Sequence, residues 1–318
     1  MNWGIIGYGE IAPSFIKSLL ETAEQKLYAI ASKSNHNKLL LAKSYPQTII
    51  YSDYSEIYND PQIHVVYIAT TNQLHKENVL SCLNAGKHVL SEKPMGVCLL
   101  DVIEMVEAAQ KNNKFLMEGM WTRFLPGYKH FIRLIREDSI GKPNFLTANF
   151  GFHSTWGPER RLLNKKLFGG AILDNTDYNI FLCEDIFREL PQKITATGHV
   201  SSTGVEDTCG ITFGYSNGEM AQLFSSFIQK TEQDAVVFGE KGVIRFKEFW
   251  HGTEIVLKQN DKEPILYNIP FSGTGFVHEI EEVVNCIEQG QIESRSIPHR
   301  LSIDIASIMD EVIKQVKQ

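Results

Sequence analysis

Two stretches of the chain place proton-handling side chains at spacings that chemistry can use. In "FGGAILDNTDYNIF", Asp174 and Tyr178 are four residues apart, so on a helix they share one face, as a proton-transferring phenol and an orienting carboxylate must. The same spacing also suits a helix N-cap followed by a core aromatic. In "LSEKPMG", Glu92, Lys93 and Pro94 close an apolar run. An ammonium there can hold a substrate hydroxyl and lower the pKa of a nearby acid, while the X-Pro bond fixes the direction of the chain. A solvent-exposed lysine after a strand is the structural alternative.

A third stretch could bring a ligand to these groups. In "GIIGYGEIAPSF", the run Gly7, Tyr8, Gly9, Glu10, Ile11, Ala12 fits the dinucleotide fingerprint G-x-G-x-x-G/A. Gly7 would permit the tight turn, Gly9 would leave room for a pyrophosphate, and Ala12 would let the helix pack on its strand. About 20 residues on, such sites usually carry an Asp or Glu for the ribose 2′-hydroxyl. Here the chain reads Ala31, Ser32, Lys33, Ser34, with Lys38 a turn later. Two hydroxyls and two cations favour the extra phosphate of NADP, with NAD the second choice; a solvated loop is the alternative. In "ATTNQLH", Thr70, Thr71, Asn72 and His75 follow another apolar run, at a strand end that would face the nicotinamide ribose.

These groups need a scaffold, and the hydrophobic pattern predicts an α/β one. From Trp3 to Met120, short Val- and Ile-rich runs alternate with helical segments at Ile11–Thr22, Leu39–Ser44, His75–Asn84 and Leu99–Asn112, the rhythm of a doubly wound parallel sheet. Pro13 falls in the first turn of its helix, where no N–H is needed. Beyond about residue 140 strands follow one another, with an Asn217-Gly218 hairpin, which predicts a large, open, mainly antiparallel sheet. One helix over Asp174–Arg188 interrupts it, and helices over Phe276–Glu288 and Arg300–Lys317 close the chain. The expected division is a dinucleotide-binding domain over 1–120 and a substrate domain over 121–318, the second completing a cleft beyond the strand ends of the first.

Composition narrows the partners. A net charge of −7 offers no basic footprint for nucleic acid, so a small molecule is expected. The five cysteines are dispersed and never in C-x-x-C spacing, and no H-E-x-x-H occurs, so neither disulfides nor a metal is expected. No apolar run is long enough to span a membrane, and no basic, apolar leader precedes the first strand, which suggests a cytoplasmic protein.

Taken in order, "GIIGYGEIAPSF", "AGKHVLSEKPMG", "FLMEGMWTRFLP", "RLLNKKLFGGAILDNTDY" and "GFVHEIEEVVNCIEQGQIES" resemble the Gfo/Idh/MocA oxidoreductase family over nearly the whole chain. "EGMWTRFLP" and the "RLL" before the double glycine are similar to its branch of dimeric dihydrodiol dehydrogenases and NADP-linked D-xylose dehydrogenases. The resemblance implies a Rossmann domain, a second α/β domain whose open sheet forms a homodimer, and hydride transfer between a nicotinamide and a sugar or cyclic alcohol carbon. It implies that Lys93 assists at the reacting hydroxyl, that Tyr178 is the general acid/base and that Asp174 orients the pair. Trp121, Arg123 and Arg161 would lie near the nicotinamide or substrate, and Phe152, Trp156 and Phe276 would form an apolar substrate wall. Where many relatives read D-I-G-x-Y, the chain has Asp174, Asn175, Thr176, Asp177 and Tyr178. Thr176 would narrow the local space, and Asp177 would raise the tyrosine pKa if it faced the cleft. A reductase of oxo-sugars and a silent NAD(P)-binding sensor are the alternative readings.

Overall fold

The computed structural model describes residues Met1–Gln318. Its first sheet contains β1 (Asn2–Ile6), β2 (Lys26–Ala31), β3 (Ile49–Tyr51), β4 (Val65–Ile68), β5 (His88–Glu92) and β6 (Leu116–Gly119). They run parallel in the order β3-β2-β1-β4-β5-β6, the doubly wound arrangement that the alternating pattern predicts. Trp3 to Ile6 and all of β4 are buried because helices cover both faces of such a sheet. The crossovers are α1 (Ala12–Glu21), α2 (Asn35–Ser44), α3 (Tyr54–Asn59), α4 (His75–Asn84) and α5 (Leu99–Asn112). The sequence reading omitted α3, although Asp53 and Glu56 form a complete capping box there, a readable start signal.

The chain forms two compact units, and the division is not a single cut near residue 120. The first unit comprises Met1–Trp121 and also Ser272–Ile303. The returning segment, which includes α8 (Val277–Glu288), is tied to α1 by Thr274, whose hydroxyl lies 2.7 Å from Ser18 Oγ and donates to Ser14 O at 2.8 Å. It also bonds to β6: Leu116 N–H donates to Ile292 O at 3.0 Å. Phe276 packs edge-on against Phe15 at 5.9 Å and stacks on Trp121 at 4.8 Å.

The second unit, Thr122–Phe271 with Asp304–Gln318, begins with α6 (Pro126–Arg136), a helix the sequence reading left unassigned. Its sheet contains β7 (Pro143–Gly151), β8 (Lys193–Val200), β9 (Glu206–Gly214), β10 (Met220–Ser226), β11 (Ala235–Gly239), β12 (Gly242–Phe246), β13 (Glu254–Gln259) and β14 (Ile265–Asn268). Their order is β14-β13-β12-β11-β7-β10-β9-β8, antiparallel except where β7 runs alongside β10. Alternation along β9 buries Cys209, Ile211 and Phe213 and turns Thr208, Gly210 and Thr212 the other way. A π-helical turn, Ile172–Thr176, runs into α7 (Asp177–Phe187). The chain ends with α9 (His299–Val316). No helix is long and apolar enough to cross a membrane, and all five cysteines are free thiols.

Candidate active site

The dinucleotide-type turn sits at the end of β1, where the strand order reverses. Gly7 has φ +91°, and a Cβ there would lie 2.6 Å from Ala69 O, so only glycine fits. At Gly9 a Cβ would meet nothing nearer than Ala69 O at 3.9 Å, leaving open space over the backbone. After Glu10, Ile11 stands at the N-cap of α1 without a side-chain cap, and no carboxylate occupies the first turn, which begins at Ala12. An uncapped, acid-free helix N-terminus behind an open glycine is a ready anion site. The hydroxyl of Thr70, at the end of β4, is buried without a hydrogen-bond partner. This set of groups fits a nicotinamide dinucleotide.

At the end of β2, Ser32 is buried and its hydroxyl accepts from Ser34 N–H at 3.3 Å. Ser34 caps α2, and Asn37 on that helix donates to Tyr8 O at 3.0 Å, bracing the glycine turn. The Lys33 ammonium lies 4.5 Å from the Tyr54 ring centre, and Lys38 donates to Ser52 Oγ at 3.2 Å. Thr71 precedes a single 3-10 turn, Asn72–Leu74. His75, expected at the cofactor, is 1% exposed, with Nδ1 2.8 Å from Pro94 O and Nε2 3.2 Å from Thr70 O. It braces the loop after β4 against the one after β5.

Glu92 accepts a short hydrogen bond from the Tyr67 hydroxyl and a 3.3 Å bond from Lys93 N–H. The Lys93-Pro94 peptide is cis. Close behind, Glu279 on α8 is fully buried with neither oxygen hydrogen-bonded. Burial first, and then the Glu92 charge, push its carboxyl well above the ordinary range. The sequence reading missed Glu279; its signal was a carboxylate standing beside Phe276, Ile280 and Val283 on the apolar ridge of an amphipathic helix. Trp121 and Phe276 lie together in this first unit.

In the second unit, Tyr178 is 7% exposed. Its ring meets Phe150 edge-on at 5.3 Å and Trp250 at 6.3 Å, and those two stack at 5.0 Å. Trp250 is held by donation from its Nε1 to Gln233 Oε1 at 2.9 Å. It stands in a turn without periodic context, so no sequence signal singled it out. Asp174 lies in the π turn, and Arg161 Nη1 donates to its Oδ1 at 2.5 Å. The residues that replace D-I-G-x-Y face inward. Asn175 donates to Phe150 O at 3.1 Å, Thr176 to Ser225 Oγ at 2.8 Å, and the fully buried Asp177 accepts from Tyr178 N–H at 2.7 Å. Thr176 is therefore committed to β10.

Arg123 belongs to a buried polar network. It donates to the buried Asp185 at 2.6 Å, beside the Tyr128 hydroxyl, which donates to the same carboxylate at 2.7 Å. Phe152 and Trp156 pack on a cluster of Leu162, Ala171 and Phe227, and the Arg160 guanidinium covers Trp156 at 3.9 Å. Phe276 belongs to the first unit. No group of three or more His, Cys, Asp or Glu side chains is arranged to hold a metal ion.

Comparison with known proteins bears on the family and the fold. Residues 1–120 match the oxidoreductase family with an NAD-binding Rossmann fold, and residues 128–245 match the GFO/IDH/MocA C-terminal domain. The chain is 34% identical to trans-1,2-dihydrobenzene-1,2-diol dehydrogenase of Mus musculus, over 99% of this chain and 97% of that one. It is 32% identical to the Xenopus tropicalis protein of the same name, over 99% and 98%. Among solved structures, an aldose-aldose oxidoreductase from Caulobacter crescentus superposes with a TM-score of 0.91 at 22% identity, covering 100% of this chain and 97% of that one. A levoglucosan dehydrogenase in complex with NADH superposes at 0.88 and 18% identity, covering 99% and 96%. The chain thus belongs to the Gfo/Idh/MocA oxidoreductase family and is an NAD(P)-dependent dehydrogenase.

Proposed function

We propose that the protein moves a hydride between NADP and the CH–OH or C=O carbon of a sugar or a vicinal cyclic diol. The observation that carries this reading is the setting of Tyr178: a phenol on a rigid helix, walled by Phe150 and Trp250, one turn beyond an Asp174 already oriented by Arg161. Relatives named for a vicinal diol support the substrate class. Ser32, Lys33 and Lys38, with no carboxylate at the end of β2, support NADP over NAD.

The nicotinamide, when bound, supplies the hydride acceptor or donor. Gly7, Gly9 and the α1 N-terminus would hold the pyrophosphate, and Thr70, Thr71 and Asn72 would hold the ribose of the nicotinamide. In the oxidative direction the role of Tyr178 is to accept the hydroxyl proton, with Asp174 orienting the phenol, and the role of Lys93 is to hold a hydroxyl oxygen. Glu92 fixes the backbone of Lys93. Phe152, Trp156 and Trp250 offer the apolar wall that a ring substrate needs.

We also assign the open face of the second sheet to a homodimer. A groove of about 480 Å³ crosses it, bordered by Thr147, Thr195, Thr197, Thr212 and Gln222, and Met220 and Phe238 are exposed.

The deciding experiment follows reduced-nicotinamide absorbance with NADP⁺ or NAD⁺ and a panel of D-xylose, D-glucose, inositol and a trans-cyclic diol. Turnover with NADP⁺ and one of these is the expected result. Silence with every alcohol, but oxidation of NADPH by an oxo-sugar, would replace the reading with that of a carbonyl reductase; tight NADPH binding without either turnover would leave a sensor.

A further inference from the structure

The helical run that carries Asp174 and Tyr178 begins at a bare backbone. Gly169 N–H donates to Asn164 O at 3.0 Å and Gly170 N–H to Leu162 O at 2.9 Å, after which Asp174 N–H donates to Gly170 O at 3.2 Å. Gly170, at φ +129°, precedes Ala171, the N-cap of the π turn, which makes no side-chain cap bond, so no local side chain is laid over the first N–H groups. The space is not empty. A Cβ on Gly170 would lie 2.5 Å from Glu206 Oε1, so the carboxylate of the first residue of β9 stands directly beside the start of the turn.

Glu206 is 1% exposed, and neither carboxylate oxygen accepts a hydrogen bond. Its cation is Lys317, with Nζ 3.1 Å from Oε2. The end of α9 is fixed to β8 by Gln315, which accepts from Ala196 N–H at 2.8 Å and donates to Ile194 O at 3.1 Å. Lys317 is therefore delivered by an anchored turn.

We propose that Glu206 is a positioning residue that sets a negative charge, from another strand, beside the start of the helix bearing Asp174 and Tyr178, with Lys317 as the counter-ion that keeps its carboxylate in place. A negative charge at the positive end of a helix is favourable, whereas a buried carboxylate without a cation is costly. The turn it supports is π-helical and wider than an α turn, so the register of Asp174 and Tyr178 depends on how its first residues are held. The effect on catalysis rests on the proposed role of Tyr178; the effect on the helix does not.

The test pairs Glu206→Gln with Lys317→Met and reads kcat, NADPH affinity and amide hydrogen exchange. Loss of the charge in Glu206→Gln should speed exchange over residues 171–178 and lower kcat about tenfold. Exchange elsewhere and the NADPH dissociation constant should stay as in wild type, and Lys317→Met should shift the same quantities less. Wild-type kcat together with wild-type exchange in Glu206→Gln would overturn the proposal, and so would a loosened helix with full activity. If Glu206→Gln does not fold, the partly exposed Lys317 carries the test, and an unchanged Lys317→Met protein overturns it. Should Tyr178→Phe prove fully active, the acid/base assignment falls, while exchange over 171–178 still decides whether Glu206 holds the helix.

Discussion

Arg161 Nη1 lies 2.5 Å from Asp174 Oδ1, joining an irregular loop to the π turn four residues before Tyr178. Asp174 is 8% exposed, so its charge is partly desolvated and depends on that guanidinium. Arg161→Ala should lower kcat/KM roughly tenfold, since a buried carboxylate losing a charged partner loses on the order of 1–3 kcal/mol. Arg161→Lys should fall between, because an ammonium lacks the planar fork. Steady-state kinetics of the two variants against wild type checks both; equal rates in Arg161→Ala would release Asp174 from the mechanism.

Tyr178→Phe removes a hydroxyl and leaves the ring between Phe150 and Trp250. We expect kcat to drop by roughly 10², within the range of general acid/base catalysis, with Tm and NADPH affinity close to wild type. A variant that turns over normally would remove Tyr178 from proton transfer.

NADPH should bind at least tenfold tighter than NADH, with the gap narrowing in Lys33→Ala and Lys38→Ala and shrinking as salt screens the phosphate contacts. Fluorescence titration at two ionic strengths measures this. Equal dissociation constants for the two cofactors would reject the assignment of Ser32, Lys33 and Lys38.

Burial first, and then the charges of Asp304 and Asp185, push the carboxyl of Glu184 on α7 up to about 7. The folded protein keeps this proton over a range, from about 4.5 to about 7, where the unfolded chain has released it. The proton therefore stabilises the fold below that range, and the advantage is lost as pH rises through it. Relative to wild type, Glu184→Gln should melt progressively higher as the pH is raised from 5 to 7, with the difference level above that. Parallel melting curves at every pH would show that Glu184 titrates normally.

The dimer proposed through the second sheet predicts twice the chain mass by light scattering at micromolar concentration. A charge placed in the groove, as in Thr197→Arg, should yield a monomer. A monomeric wild type would leave the open face without this role.

Much of this architecture was legible because it is local. The apolar period from His75 to Asn84 marked α4 to the residue, and the glycine fingerprint marked the turn whose geometry excludes a Cβ at Gly7. What escaped was set by distant packing. Nothing in the period of α8 says that Phe276 will lie against Phe15 and Trp121. No spacing announces that Trp250, in a turn after β12, will wall Tyr178. The ion pair of Arg123 with Asp185, 62 residues later, is likewise set by tertiary packing. The π turn was equally hidden, since Asp174 and Tyr178 suit an α-helix in sequence and the widening appears only with Thr176 bonded to Ser225.

The return of Ser272–Ile303 to the first unit has a consequence for how the chain is made. During synthesis the first five helices and six strands emerge while the residues that cover Phe15 and Trp121 are still more than 150 positions away. The nascent dinucleotide-binding unit must wait, with those rings only partly covered, while most of the second unit is threaded out and able to fold as a body of its own. A gene cut after residue 120 would deliver a sticky, unfinished piece, whereas joining residues 272–303 to it through a short linker should yield a self-standing nucleotide-binding protein.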